Sequence, residues 1–67
     1  MNIVIIGAGN IAHCFGTLLK IHGHQILQVI SRKKENAQAL AETLHASATD
    51  DLLDINMEAD IYLLAVS

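Results

Sequence analysis

The sequence predicts an α/β fold built on a parallel sheet, and two observations lead to that prediction. Residues 1–6 and 25–30 are short runs rich in isoleucine and valine, which is typical of strands covered on both faces. The segment between them has apolar residues at spacings of three and four, as on one face of a helix. A strand, a helix and a second strand in this order form a right-handed crossover unit of about 30 residues.

The first helix is predicted to run from Asn10 to about Ile21 or His22. Asn10 is a good N-cap residue, and Gly23 stands where a left-handed cap ends a helix. Gly16 lies inside the helix at a cost of about 1 kcal/mol relative to alanine, so we expect it to pack closely against the sheet. The predicted apolar face consists of Ile11, Phe15, Leu18, Leu19 and His22.

The second half of the chain continues the alternation of helices and strands. Ser31 is predicted to cap a second helix, and the helix presents a narrow apolar stripe of Ala37, Leu40, Ala41 and Leu44. We expect a short edge strand at 46–48 and then a brief helix over 51–55, capped by Thr49 or Asp50.

A last strand is predicted at residues 61–66, buried and parallel to the others. It completes a sheet with the strand order 3-2-1-4, which is part of a doubly wound Rossmann sheet. No helix or loop follows this strand to cover it, so we expect the chain to be the N-terminal part of a larger two-domain protein. Ligands of such sheets bind at the carboxyl ends of the strands where the strand order reverses, here between the first and last strands.

The turn after the first strand carries the phosphate-binding pattern G-x-G-x-x-A, as Gly7-Ala8-Gly9-Asn10-Ile11-Ala12. Gly7 allows the tight turn, Gly9 lets a pyrophosphate approach the backbone, and Ala12 lets the helix pack closely on the strand. Unpaired N–H groups and the positive end of the helix dipole favour an anion there. Residues 1–67 are therefore predicted to belong to a NAD(P)-binding domain. The alternative is a glycine turn that only links the strand to the helix.

Residues at the end of the second strand favour NADP(H) over NAD(H) as the cofactor. NAD-selective sheets carry an Asp or Glu about 20 residues beyond the glycine turn, and this acid accepts hydrogen bonds from the ribose 2′-OH. The present chain has Ser31, Arg32 and Lys33 there, with no acid before Glu35. A guanidinium, an ammonium and a hydroxyl suit a 2′-phosphate. The alternative is a solvated helix start, although positive charges there oppose the helix dipole.

Composition and charge exclude several other classes of protein. With 52% apolar and 16% charged residues, the chain is predicted to pack as a globular unit, and its net charge of −3 argues against general nucleic-acid binding. Its apolar runs are too short to span a bilayer. The single cysteine, Cys14, fits a reducing compartment such as the cytosol, and we expect a buried structural thiol. We therefore predict a cytoplasmic protein without membrane contacts.

The histidines and acids follow no metal-binding pattern. His22 and His24 flank a glycine at a spacing that matches neither a helix face nor a common zinc site, so we expect surface residues. His13, one turn into the first helix, is a candidate for a cofactor contact, the alternative being a solvent-facing side chain. The acids between Asp50 and Asp60 lack a calcium-loop pattern and are predicted to form a solvated face. No metal is predicted.

Several segments together resemble a known group of enzymes, namely Ile5–Ala12, Gly23-His24, Val29–Arg32 and Leu63–Val66. The chain resembles the N-terminal NADP-binding module of pyrroline-5-carboxylate reductase and of related β-hydroxyacid dehydrogenase-like and coenzyme F420-dependent NADP oxidoreductases. The resemblance implies that residues 7–12 hold the pyrophosphate and that Ser31, Arg32 and Lys33 face the adenosine ribose. It also implies that the path to the nicotinamide is lined by Ala65, Val66 and Ser67. Ser67 departs from the reductases, which often have Lys-Pro after the Ala-Val pair.

Two functions from different classes follow from these residues. The leading hypothesis is the cofactor module of an oxidoreductase that transfers hydride between nicotinamide and a C=O or C=N group of a small molecule. No residue is a convincing general acid, so we expect the substrate site in the second domain. We also expect the protein to form a homo-oligomer through that domain. The alternative is a nucleotide-sensing domain without turnover. A purely structural domain would leave Gly9 and the basic residues unexplained.

Overall fold

A four-stranded parallel sheet forms the centre of the protein. The computed structural model describes residues 1–65, so the predicted site residues Val66 and Ser67 lie outside the described part. The elements are β1 Asn2–Ile6, α1 Asn10–Ile21, β2 Gln25–Ile30, α2 Lys34–Leu44, β3 Ser47–Thr49, a 3-10 turn Leu52–Asp54 and β4 Ile61–Leu64. The strands lie in the order β3-β2-β1-β4, so the predicted fold class and strand order are confirmed. Strand β3 begins one residue later than predicted.

Helix α1 is bounded by glycines at both ends. Gly23 has a φ of 88°, and its N–H donates to the carbonyl of Lys20 at 3.0 Å, which confirms the predicted left-handed cap. At the other end the capping position is Gly9, and Asn10 is already the first helical residue. The prediction of an Asn10 cap is wrong, because the extended residue that precedes the helix is the second glycine of the turn.

The buried face of α1 consists of small residues, Ala12 and Gly16. A Cβ atom on Gly16 would lie 2.7 Å from Cδ1 of Leu44 and 3.2 Å from Cδ1 of Ile5, which confirms the predicted close packing. The predicted apolar face is wrong, because the close approach of the helix turns its large side chains outward. Leu19 packs partly against the core, whereas four other members of that face are exposed, namely Ile11, Phe15, Leu18 and His22.

Helix α2 lies beside α1 over the sheet and buries the predicted stripe of Ala37, Leu40, Ala41 and Leu44. Its capping position is Lys33 and not Ser31, so that prediction is wrong. The backbone N–H of Ser31 donates to the carbonyl of Thr49 at 3.2 Å, which continues the pairing of β2 with β3 and delays the helix. The helix ends at Leu44, and its capping residue His45 takes the left-handed conformation with a φ of 57°.

Strand β2 contains one residue more than β1 opposite it. The register shifts at Leu27, between the pairs Ile3–Ile26 and Val4–Gln28. As a result Ile26 and Val29 both belong to the hydrophobic core, although they are three residues apart and a regular strand would place them on opposite faces.

The shift also buries the polar side chain of Gln28, which is 7% exposed. Its Nε2 donates to the carbonyl of Asp54 at 3.0 Å, and its Oε1 accepts from the N–H of Asn56 at 2.8 Å. A buried amide needs such partners, since an unpaired one would be costly. Gln28 therefore ties the connection between β3 and β4 to the centre of the sheet.

The 3-10 turn after β3 is capped by Asp51, whose Oδ1 accepts from the N–H of Leu53 at 2.9 Å. The predicted cap at Thr49 or Asp50 is wrong. Thr49 is the last residue of β3, and its hydroxyl accepts from the N–H of Asp51 at 3.1 Å. The hydroxyl therefore supports the turn from two positions before the capping residue.

Strand β4 pairs with β1 and forms an edge of the sheet. Ile61 is 40% exposed, Tyr62 41% and Leu64 67%, so the prediction of a buried strand is wrong for these residues. The helices α1 and α2 pack mainly over β1, β2 and β3, which leaves β4 uncovered. Only Leu63 in this strand packs against the core.

Candidate functional site

The carboxyl ends of all four strands meet at one edge of the sheet. The N–H of Gly7 donates to the carbonyl of Ile30 at 2.7 Å, and the N–H of Ala65 donates to the carbonyl of Ile6 at 2.8 Å. Together with the bond from Ser31 to Thr49, these contacts extend the pairing one residue past β1, β2 and β4. The segments that follow the strands therefore lie side by side, as expected for a ligand site in a parallel sheet.

A crevice of about 740 Å³ opens along this edge. It is lined by the glycine turn, by the β2–α2 connection and by the segment after β3. The lining residues are Ile6, Gly7, Ala8, Gly9, Ile30, Ser31, Arg32, Lys33, Asn36, Asp50, Asp51, Leu52 and Ala65.

The glycine turn presents backbone to this crevice. Gly7 has a φ of 124°, a conformation that residues other than glycine rarely adopt, so the turn requires glycine there. Gly9 is extended, with a φ of −85° and a ψ of −165°, and a Cβ atom built on it would meet nothing within 4 Å. The space in front of Gly9 is therefore open to a ligand and is not needed for packing.

The N-terminus of α1 has the properties of an anion site. No side chain caps this end and the first turn contains no acid, so its first N–H groups keep their hydrogen-bonding capacity. The positive end of the helix dipole adds to the attraction for a negative group. A phosphate in the crevice beside Gly9 would meet both.

The predicted site residues divide into four groups. Seven line the crevice, and they are Gly7, Ala8, Gly9, Ser31, Arg32, Lys33 and Ala65. Asn10 lines a neighbouring groove of about 420 Å³ between α1 and α2, together with His13. Ala12 is buried on the inner face of α1 and Ile11 is half exposed, and neither lines the crevice or the groove. Val66 and Ser67 fall outside the described residues.

Six residues of the crevice wall were not predicted from the sequence, namely Ile6, Ile30, Asn36, Asp50, Asp51 and Leu52. The pairing of Ile30 with Thr49 places the segment after β3 beside the segment after β2. The predicted strand order already contained this signal, because it makes the two strands neighbours. Both acids are exposed, as predicted, but they also face the crevice.

The remaining chemically reactive residues lie apart from the crevice. Cys14 is exposed, so the prediction of a buried thiol is wrong, because α1 turns only its small face to the sheet. His22 is exposed, and Nδ1 of His24 lies 3.2 Å from the terminal amino group of Met1. Within residues 1–65, no three His, Cys, Asp or Glu side chains are grouped so as to hold a metal ion. No helix of this described part has the length and apolarity to cross a membrane.

Comparison with known sequences identifies relatives of this unit. The protein family described as coenzyme F420-dependent NADP oxidoreductase matches residues 2–67. Glutamyl-tRNA reductases from two strains of Thermus thermophilus are 42% identical over 48 residues, which is 72% of this chain. The match spans only 12% of the length of those reductases.

Solved structures show the same fold. A crystal structure from Bacteroides fragilis, provisionally designated an NADP oxidoreductase, matches with a TM-score of 0.95 and 39% identity over 98% of this chain and 26% of its own. The WlbA dehydrogenase of Chromobacterium violaceum, solved with NADH and UDP-GlcNAcA, matches with a TM-score of 0.89 over 98% of this chain and 20% of its own. Its identity is 23%, so this likeness concerns the fold alone.

Proposed function

Because the chain belongs to the family of coenzyme F420-dependent NADP oxidoreductases, we propose that it binds NADP(H) in the crevice and serves hydride transfer to or from a C=O or C=N group. Family membership makes the chain a dinucleotide-binding oxidoreductase module. The choice of NADP(H) and the type of substrate are our proposals. They rest on the side chains that line the crevice.

The observation that carries the proposal is the open backbone at Gly9 beside the uncapped N-terminus of α1. A pyrophosphate there would accept hydrogen bonds from backbone N–H groups without displacing any side chain. Gly7 supports this arrangement because its φ of 124° directs the chain from the strand into the turn. The crevice extends from this turn to the β2–α2 connection, so the adenosine part of a dinucleotide would reach Arg32.

Arg32 and Lys33 would favour the phosphorylated cofactor. Both are exposed and line the crevice at its β2–α2 side, next to the hydroxyl of Ser31. A charge-assisted hydrogen bond contributes about 1.5–3 kcal/mol, so one such bond to the 2′-phosphate corresponds to a preference of roughly tenfold or more. Arg32 can also bind a phosphate through two N–H groups at once.

The bound nicotinamide supplies the hydride chemistry, and the chain holds and orients the cofactor. Ala65 is buried at the end of β4 and lines the crevice beside the glycine turn, so it would border the nicotinamide side. We place the substrate groups outside this chain, since it spans 26% of the similar B. fragilis protein. That division assigns cofactor binding, and not proton transfer, to the residues described.

The test is a titration of NADPH and NADH against the full-length polypeptide and two charge variants. We expect NADPH to bind at least about tenfold more tightly at low salt, and Arg32→Asp to abolish this preference. Lys34→Asp makes the same charge change in an exposed residue that does not line the crevice, so it should keep most of the preference. Equal affinities for the two nucleotides in the unmodified protein would refute the assignment of Arg32.

Turnover separates the enzyme from a nucleotide sensor. We expect NADPH to be oxidised when the full-length polypeptide is supplied with members of a panel of ketones and imines. Tight NADPH binding with no oxidation by any member of the panel would instead favour the sensor, because fold and cofactor binding do not by themselves establish catalysis.

A further inference from the structure

We propose that Asp50 is a specificity-determining residue that accepts a hydrogen bond from the ribose 2′-OH and so retains NADH as a second cofactor. This inference rests on the proposed function, since it concerns the same crevice. It corrects the sequence argument that no acid is available for the 2′-OH. The acid is absent from the end of β2, but the neighbouring strand supplies one.

The position of Asp50 follows from the pairing of β2 with β3. Ile30 is paired with Thr49, and the N–H of Ser31 donates to the carbonyl of Thr49 at 3.2 Å. Asp50 follows Thr49 as Ser31 follows Ile30, so the two residues leave adjacent parallel strands at the same level. Both line the crevice, and so does Arg32.

Asp50 is better suited to this role than Asp51, the other acid on the wall. Asp51 already uses Oδ1 to accept the N–H of Leu53 at 2.9 Å and so holds the 3-10 turn. The hydroxyl of Thr49 steadies the same turn, accepting from the N–H of Asp51 at 3.1 Å and donating to Oδ2 of Asp54 at 3.4 Å. Asp50 is thus an exposed carboxylate carried on a backbone that its neighbours fix.

The two charges at this wall act in opposite directions on the two cofactors. A carboxylate accepts a hydrogen bond from a 2′-OH and repels a 2′-phosphate, whereas the guanidinium of Arg32 attracts the phosphate. The preference for NADP(H) is therefore set by the balance between the attraction from Arg32 and the repulsion from Asp50. Asp50 keeps that preference smaller than the basic residues alone would produce.

The experiment measures dissociation constants of NADPH and NADH for the full-length polypeptide and its Asp50→Asn and Asp50→Ala variants. Glu42→Gln is the matched control, because it removes one negative charge from an exposed residue of α2 that lines neither the crevice nor the groove. Both Asp50 variants should bind NADPH about three- to tenfold more tightly at low salt, and less so at high salt. Asp50→Ala should also bind NADH at least about threefold more weakly, since no acceptor remains for the 2′-OH.

The outcomes separate this inference from the proposed function. The ratio of the NADH to the NADPH dissociation constant in both Asp50 variants could stay within about twofold of its value in Glu42→Gln, while Arg32→Asp still shifts this ratio. In that case Asp50 has no such role and the proposed function stands. If neither nucleotide binds the unmodified protein, the proposed function and this inference both fail. The inference would also be overturned if Glu42→Gln tightened NADPH binding by the same factor as the Asp50 variants, because the effect would then reflect net charge.

Discussion

Two glycines seven residues apart serve opposite purposes in this protein. Gly16 lies in the contact between α1, α2 and the sheet, where an added Cβ atom would come within 2.7 Å of Leu44. Gly9 lies at the crevice, where an added Cβ atom would touch nothing within 4 Å. The space beside Gly16 is filled by side chains of the core, whereas the space beside Gly9 is open although it adjoins the same helix. An open glycine next to a free helix end therefore indicates binding, whereas a crowded one indicates packing.

The largest effect is expected at the open glycine. Gly9→Val should lower the affinity of the full-length polypeptide for NADPH by about a hundredfold or more, because the branched side chain would occupy the space in front of the turn. Its free energy of unfolding should fall by only about 0.5–1 kcal/mol, because Gly9 is the capping position of α1 and valine is a poorer cap than glycine. Nucleotide titration and urea denaturation measure the two quantities separately. An unchanged affinity in the folded variant would remove the turn from the binding site.

The crowded glycine should show the reverse pattern. Gly16→Val is expected to lower the free energy of unfolding by about 1–3 kcal/mol, because the core around Leu44 must move to admit the side chain. Nucleotide affinity of the folded fraction should stay nearly constant. In a Leu44→Ala background the same substitution should cost about 1 kcal/mol less, since the two side chains compete for one space. Equal costs in both backgrounds would show that Leu44 is not the source of the crowding.

A smaller effect is expected at Gln28, which ties the connection between β3 and β4 to the sheet. Gln28→Leu should cost about 1–2 kcal/mol, because the N–H of Asn56 loses its buried acceptor. Hydrogen exchange at that N–H should accelerate more than exchange in the core strands. Gln25→Leu is the matched control, an exposed glutamine on the same strand. A comparable acceleration at Asn56 in the control would contradict a specific role for Gln28.

Much of the architecture was predictable because it depends on local pattern. The isoleucine- and valine-rich runs predicted β1 and β2, and the predicted strand order is confirmed. The stripe of α2 from Ala37 to Leu44 and the cap at Gly23 were also correct. These features depend on residue spacing and on backbone preferences that each segment carries with it. The caps at Asn10 and Ser31 were wrong, since the surrounding turn and sheet decide where a helix begins.

The sequence alone thus specified the strands, the glycine turn and the basic residues that follow β2, since each is a property of contiguous residues. Only the tertiary structure decided which residues of α1 face inward, because close approach to Leu44 and Ile5 selects small side chains over large ones. The extra residue at Leu27 likewise depends on the partner strand, and so does the burial of Gln28. Pairing with a partner strand also places Asp50 in the crevice wall that contains Arg32. Two segments far apart in sequence become neighbours through hydrogen bonds between parallel strands, which no local pattern contains.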